Sequence, residues 1–541
     1  MSTTLAEPIG NPTEESITAA ATFAQPKKHP KPFLLRFRAS KQFILLTVGL
    51  ALFTDIVVYG ILIPVMPFIV EGINSGTGYN PNINPYTIST NSATTARDTG
   101  ILIALYAAGL LGASPLFGIL GDRTSTRQYP MLLGIFGLIL STLILMFAAQ
   151  YWLLLVARFF QGISAACVWT LGLTLVADTI PSKDLAIEMG KIMISYSVGM
   201  LAGPPIGGVL YANLGPKSPF IFCIIIAVVD FVFRLLIVEK RNSPKEWFEN
   251  GDVETAAAVP AELSISEKLD VPIKAAVPDA ADSGIILYSH SADNFTETVV
   301  GVDIANECKA DKAGETLSAS SETVVPTYNK IQMLTLIFKP RMIMALVVTM
   351  ANSFLYGALE PTLTLRLATE WGLNTGQIGL VFISQIAPGF FFGPGAGWFS
   401  DWYGPKIVVL VNMVLTAICS LLLALPNEHT GLGPLIVLLI LIGGASAAFL
   451  TPVLAEIVVV VNAQGGREGD GFARSYGIFN MAFSLGCLIG PIGAGVIYGE
   501  YNFFWVTFMI AMLIITIVPG VYLYTGGRGP LIQRKEIIPQ S

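Results

Sequence analysis

Charged side chains are sparse in this chain: 31 Lys/Arg and 37 Asp/Glu among 541 residues, 13% in all, against 53% hydrophobic residues and a mean hydropathy of +0.66. A soluble domain carries about 25% charged residues, so a water-soluble enzyme is excluded. Histidine is scarcer still, with three residues that all fall outside the long apolar runs. There is no Gly-Lys-Ser/Thr nucleotide loop, no cluster of metal ligands and no Ser-His-Asp order. No reaction chemistry, cofactor or metal is expected, and uphill work would have to draw on an ion gradient, most simply protons. The five cysteines, Cys167, Cys223, Cys308, Cys419 and Cys487, are scattered without disulfide or metal-ligand spacing. The first forty residues lack the short apolar core of a signal peptide.

Long apolar runs are abundant, together with 52 Gly and 33 Pro, which membrane helices tolerate and use for close packing. A span needs about 20 apolar residues. Twelve such runs occur, near 43–70, 99–119, 129–149, 152–177, 187–212, 219–239, 340–368, 375–398, 405–425, 432–461, 472–498 and 502–525. The expected fold is an all-α membrane protein of twelve transmembrane helices in two six-helix halves, multi-pass in a lipid bilayer. Lys27, Lys28, Lys31, Arg36, Arg38 and Lys41 precede the first span; Arg123, Arg127, Lys183, Lys191, Lys240, Arg241, Lys406, Arg467 and Arg474 mark the even-to-odd connections. Only Arg97, Lys217 and Arg366 mark the opposite side. Basic residues favour cytoplasmic loops, so both termini are expected there, in a plasma or vacuolar/vesicular membrane.

The net charge of −6 belongs to one segment. Residues 240–336 hold 16 Asp/Glu and 8 Lys/Arg, leaving 21 acidic and 23 basic groups elsewhere. That segment is rich in Ser, Ala and acid with few aromatics and cannot bury a core of its own. It reads as a disordered acidic cytoplasmic linker between an N-terminal half, 42–239, and a C-terminal half, 337–525, flanked by cytoplasmic tails 1–41 and 526–541. Its Asn294-Phe-Thr would stay unmodified on the cytoplasmic side. Nothing in the charge distribution points to a nucleic-acid partner, and a monomer is expected.

Asp55 stands alone as a charge within the first run, Phe43 to Pro67. A carboxylate at mid-membrane depth is expensive to insert and usually faces a polar cavity or carries protons, ions or a cationic ligand. Low dielectric disfavours a charged carboxylate, so such a group can hold either a proton or a positively charged substrate, rarely both. Tyr59, at i+4, could bond Asp55 or stack on a cation held there.

Internal repetition links the halves. Gly190-x8-Gly199-x3-Gly203-Pro204-Pro-Ile-Gly207-Gly208 in span 5 recurs as Gly477-x8-Gly486-x3-Gly490-Pro491-Ile-Gly-Ala-Gly495 in span 11, 287 residues later. Pro115-Leu-Phe-Gly118-Ile-Leu-Gly-Asp122 matches Pro394-Gly-Ala-Gly397-Trp-Phe-Ser-Asp401 at offset 279, and Gly162-Ile-Ser-Ala-Ala matches Gly444-Ala-Ser-Ala-Ala. Three matches in one order indicate parallel repeats about an axis along the membrane normal.

These strings resemble the major facilitator superfamily. The Gly-Pro string of span 5 is similar to its antiporter motif, Gly118 to Arg123 to its signature loop, and Arg158-Phe-Phe-Gln161-Gly162 to its fourth-helix motif. A closer resemblance, in Asp55-x8-Pro64-x2-Pro67, Gly357-Ala-Leu-Glu360-Pro361 and Leu454-Ala-Glu456, is to vesicular amine transporters and related twelve-helix drug:proton antiporters. That resemblance implies proton and cation handling by Asp55, Glu360 and Glu456. Tyr106 and Leu110 stand where the amine carriers have a Lys and a Gln in helix 2, and Asn480 where they have an acid in helix 11, so their ion-pair relay cannot be copied intact.

The remaining candidates follow from position. Asn352 and Tyr356 share a face with Glu360 at i,i+4 spacing; with Tyr59, Tyr106 and Asn480 they are candidate cavity residues. Arg158 is a candidate for polarising a proton path or for holding a helix contact. Glu456 either handles protons or bonds backbone freed by Pro452. Asp230 and Arg234, at i,i+4, read as a self-neutralising structural pair. Asp122, Arg123 and Asp401 are candidate latches, and Gly203, Pro204, Gly490 and Pro491 candidate bends that let spans 5 and 11 approach partners across the half–half boundary. The function these readings support is secondary active transport, a proton-coupled antiport of an organic cation or amphipathic small molecule by alternating access. A uniporter and a non-transporting membrane sensor are the alternatives.

Overall fold

Lipid offers no hydrogen bonds, so a crossing segment must satisfy its own backbone, and long apolar runs do so as helices. In the computed structural model twelve helices are long and apolar enough to cross: Lys41–Leu62, Ala93–Leu120, Gln128–Phe147, Tyr151–Thr179, Glu188–Leu214, Ser218–Leu236, Pro340–Glu370, Thr375–Tyr403, Pro405–Leu422, Leu432–Ile457, Gly477–Glu500 and Phe503–Tyr524. They are spans 1 to 12. The structure describes residues 33–76, 92–124, 126–180, 182–239, 243, 247, 338–462 and 472–526. Nearly all of the expected 240–336 linker, most of both tails, Cys308, Asn294, Arg467 and the side chains of Asp122, Arg123 and Arg474 lie outside them. All twelve spans belong to one compact unit, and Cys167, Cys223, Cys419 and Cys487 are free thiols.

Local chemistry sets the helix ends. Ser40 starts span 1 by accepting from the Phe43 amide at 3.2 Å, and Asn374 and Gln377 form a reciprocal capping box at the start of span 8. Span 1 was expected to run to residue 70 but stops at Leu62, turns through Pro64 and resumes as Met66–Asn74. Proline has no N–H to continue the ladder, and its ring clashes with the preceding turn. Span 2 begins about six residues earlier than its apolar run, because Thr95 and Thr99 are buried against neighbouring helices rather than left in a loop.

The two halves pack alike. Span 1 lies on span 5 as span 7 lies on span 11; spans 2 and 4 pair as do 8 and 10, and spans 3 and 6 as do 9 and 12. Between the halves span 2 packs on span 11 and span 5 on span 8. The glycine-proline helices were expected to face across the boundary, but they work on two faces. A Cβ at Gly203 would meet the backbone of Gly60 at 2.9 Å, and one at Gly490 would meet the Phe354 carbonyl at 2.7 Å, both inside one half. Gly208 and Gly495 instead abut the Thr375 and Ala96 carbonyls of the opposite half, and Thr375 Oγ1 donates to the Gly208 carbonyl at 3.0 Å. With alternating crossings, these inter-half contacts lie at span ends on the side opposite the start of span 1 and the end of span 12. One register changes: the close approach equivalent to Gly162 against the Tyr106 carbonyl is made by Gly443 against Gln385, while Gly444 faces the Phe392 ring.

Candidate functional site

Asp55 lies mid-way along span 1 and is 2% exposed. Its Oδ2 accepts from the Tyr106 hydroxyl of span 2 at 3.1 Å and from Trp169 Nε1 of span 4 at 3.2 Å, while the buried Oδ1 has no hydrogen-bond partner. Trp169 sits in Val168–Gly172, which winds as a π-helix inside span 4. Such widened turns displace side chains from the α register and recur at functional sites.

Tyr59 does not bond Asp55, as its i+4 position suggested. Its hydroxyl donates to Glu360 Oε2 of span 7 at 2.5 Å, a bond between the two halves. Spans 2 and 4 already supply two donors to Asp55, whereas Glu360 projects toward span 1 without another side-chain donor described for it. Glu360 is 3% exposed. The rings of Tyr59 and Tyr106 pack with centroids 4.9 Å apart. Arg158, fully buried inside span 4, lies over both, its guanidinium carbon 5.6 and 5.7 Å from the two centroids. Its Nη1 donates to Gln161 Oε1 at 3.2 Å; Nε and Nη2 have no hydrogen-bond partner.

Two carboxyl groups, two tyrosines and one guanidinium from spans 1, 2, 4 and 7 therefore form a single buried cluster, and among the described residues neither Asp55 nor Glu360 makes an ion pair. A buried charge without a partner is costly, so each carboxyl is favourably neutralised either by a proton or by a cation brought to it. By contrast Asp230 and Arg234 complete each other through bonds of 3.0 and 2.5 Å, as their spacing suggested, with Arg234 also donating to the Met131 carbonyl.

The other sequence candidates are distributed more widely. Tyr356 shares a 2.8 Å hydrogen bond with Ser446 of span 10, and Asn352, one turn before it, is 3% exposed with Oδ1 unpartnered. Asn480 is buried in span 11. Glu456 is not brought to the cluster. It pairs with Arg341 at 2.7 Å rather than with backbone near Pro452, and Arg341 is 19 residues from Glu360 on span 7, about 28 Å along a helix. Asp401 is exposed at the end of span 8. Gly203, Pro204, Gly490 and Pro491 line helix seams, not the cluster.

Sequence reasoning passed over Trp169 as a ligand of Asp55, along with Gln161 and Gln385. One available signal was a fourth repeat: Asp55-x3-Tyr59-Gly60-x3-Pro64 recurs 297 residues later as Asn352-x3-Tyr356-Gly357-x3-Pro361. The structure uses it alike in both halves, Gly60 against Pro204 and Gly357 against Pro491.

Two pseudo-equivalent six-span halves closing on a buried polar cluster define an integral membrane transporter of the parallel-repeat type. The chain matches the Major Facilitator Superfamily over residues 29–319 and 342–537, and it belongs to that family. An uncharacterized MFS-type transporter of Schizosaccharomyces pombe is 28% identical over 475 residues, 86% of this chain and 92% of that one. The vesicular acetylcholine transporter of Homo sapiens is 26% identical over 238 residues, 37% of this chain and 44% of that protein. The crystal structure of the human organic anion transporter MFSD10 (TETRAN) superposes with a TM-score of 0.54 at 17% identity, covering 89% of this chain and 99% of that one. At that identity the likeness carries the fold alone.

Proposed function

We propose that this transporter is a proton-coupled antiporter in which Asp55 and Glu360 take protons or the cationic group of a small organic molecule in alternation. The observation that carries this reading is the Tyr59–Glu360 hydrogen bond. It ties the proton-accepting chemistry of one half to the other half at the place where the halves must part. A cation approaching the free Oδ1 of Asp55 competes with its proton, and a change in the charge of Glu360 changes its bond to Tyr59, so occupancy and conformation are coupled. Arg158 supplies positive potential over the tyrosine pair, which favours the ionised form of a neighbouring acid once its proton has left. With the termini in the cytoplasm, the seams at Gly208–Thr375 and Gly495–Ala96 make this the conformation closed on the far side. Asp401 at the near side affects rate, and the similarity to a vesicular transporter fits a cation-bearing cargo.

The test is reconstitution into liposomes with an imposed pH gradient and a panel of organic cations. Accumulation should follow the gradient and collapse with a protonophore, and Asp55→Asn should abolish it. A uniporter would still equilibrate cargo in Asp55→Asn without dependence on the gradient; a sensor would bind cargo and move none.

A further inference from the structure

The two halves place equivalent side chains at the centre but use them differently. In the N-terminal half Tyr106 donates to Asp55. The positions that answer to these in the C-terminal half, by the 279- and 297-residue repeats, are Gln385 on span 8 and Asn352 on span 7. Close helix approaches support both registers: Gly162 meets the Tyr106 carbonyl as Gly443 meets that of Gln385, and Gly60 meets Pro204 as Gly357 meets Pro491. Yet the bond equivalent to Tyr106–Asp55 is not made. Asn352 Oδ1 and Gln385 Nε2 are both buried, in residues 3% and 2% exposed, and neither has a hydrogen-bond partner. One is an acceptor without a donor, the other a donor without an acceptor, on neighbouring spans.

We propose that Asn352 and Gln385 form a subsite for a neutral group of the cargo that presents an acceptor and a donor side by side, a primary carboxamide being the fitting class. The carboxamide oxygen accepts from Gln385 Nε2, and its N–H donates to Asn352 Oδ1. This deepens the reading of the central cluster as the cargo site and rests on it: the cationic end goes to Asp55 of one half and the neutral polar end to the other half, so a bound molecule spans the boundary. Donor and acceptor count supports the assignment. Tyr356, one turn from Asn352 on span 7, is already bonded to Ser446. A carboxylate has acceptors and no donor, so it would meet the unpartnered Asn352 oxygen unfavourably. A donor–acceptor pair discriminates strongly against analogues that leave its buried members unpaired.

The experiment uses purified full-length protein in lipid nanodiscs and follows thermal shift and isothermal titration with two matched series: piperidine, piperidine-4-carboxamide and piperidine-4-carboxylate, and benzylamine with its 3-carboxamide and 3-carboxylate. The carboxamide member of at least one series should bind roughly tenfold or more tightly than both relatives. In Gln385→Leu and in Asn352→Leu that ratio should fall toward one while the bare amine still binds, so a variant that has merely lost its fold is recognised by loss of both. Asn352→Asp keeps size and acceptor and should retain the preference for the amide over the carboxylate. Equal binding of amine and amide by the wild-type protein, preference for the carboxylate, an unchanged ratio in both Leu variants, or no binding by any amide overturns the subsite. Bare amines that bind in competition with protons while the amide gains nothing would leave the antiport reading standing and remove only this inference. Amide-selective binding indifferent to pH would do the reverse.

Discussion

Tyr59→Phe isolates the bond between the halves. The phenol oxygen alone is removed, and the ring can keep its contacts with Tyr106 at 4.9 Å and with the Arg158 guanidinium at 5.6 Å. What is lost is one buried hydrogen bond to a carboxyl group, 2.5 Å long. Bonds to charged groups contribute about 1.5–3 kcal/mol net, which corresponds to roughly a 10- to 150-fold change in the balance between this conformation and one with the halves parted. Spin labels at the exposed far-side positions Leu214 and Tyr501, one on each half, report that balance by pulsed electron resonance. The wild-type protein should give a short-distance population, and Tyr59→Phe should add a longer one of correspondingly greater weight. Tyr356→Phe is the control, because its partner Ser446 lies in the same half. An unchanged distance distribution in Tyr59→Phe, or an equal change in Tyr356→Phe, would refute the coupling role given to the bond.

Glu456→Gln should leave gradient-driven accumulation intact, since its partner Arg341 is partly exposed and about 28 Å along span 7 from Glu360; loss of coupling in liposomes would return Glu456 to the proton path. Asp230→Asn strands a fully buried guanidinium and should destabilise the fold by about 3–5 kcal/mol, read as a lowered melting temperature, whereas Asp230→Leu with Arg234→Met should recover most of it. Arg366→Lys should also lower the melting temperature, because one guanidinium serves the Leu423, Ala424 and Pro426 carbonyls at the end of span 9 and an ammonium cannot reach all three. Trp169→Phe leaves a smaller aromatic ring and removes one donor to Asp55; beyond the modest loss of melting temperature from lost packing, it should change how protons and cations compete in binding.

Features that depend on composition and period were legible from the residues alone. Apolar length gave the twelve spans, and spacing gave the Asp230–Arg234 pair and the relation of spans 5 and 11. What the residues alone do not show has a common cause. One helix face lets Tyr59 bond Asp55 or stack on a cation there, but the partners of a buried tyrosine are set by what other helices bring, and span 7 brings Glu360. Trp169 was unreadable as a ligand of Asp55 because its aim depends on a π-turn that no local pattern announces. Arg366 reads from the sequence only as a basic marker at the far-side end of span 7; the structure buries it, 3% exposed, with its guanidinium on carbonyls at the end of span 9. Glu456 is nominated by resemblance from a place near one end of span 10, and its pairing with Arg341 keeps it apart from the cluster.

The fourth repeat explains why charge is so unevenly divided between two halves of like geometry. Asp55 and Asn352 occupy equivalent positions, and each presents a buried, unpartnered Oδ1. If both were carboxylates, two like charges would converge on the midplane of the bilayer, where repulsion and desolvation add and at least one would have to stay protonated. An amide at the second position keeps the acceptor geometry and avoids that penalty. The second acid enters instead at Glu360, two turns further along span 7, where Ile63 stands in the N-terminal half and where the Tyr59 hydroxyl of the other half can reach it. Proline shows the same division: Pro64 interrupts span 1, while its counterpart Pro361 lies within the unbroken helix of span 7. A jointed span carrying Asp55 therefore faces a continuous span carrying Glu360, and bending falls more readily on the element that proline has already broken than on the one that holds its shape.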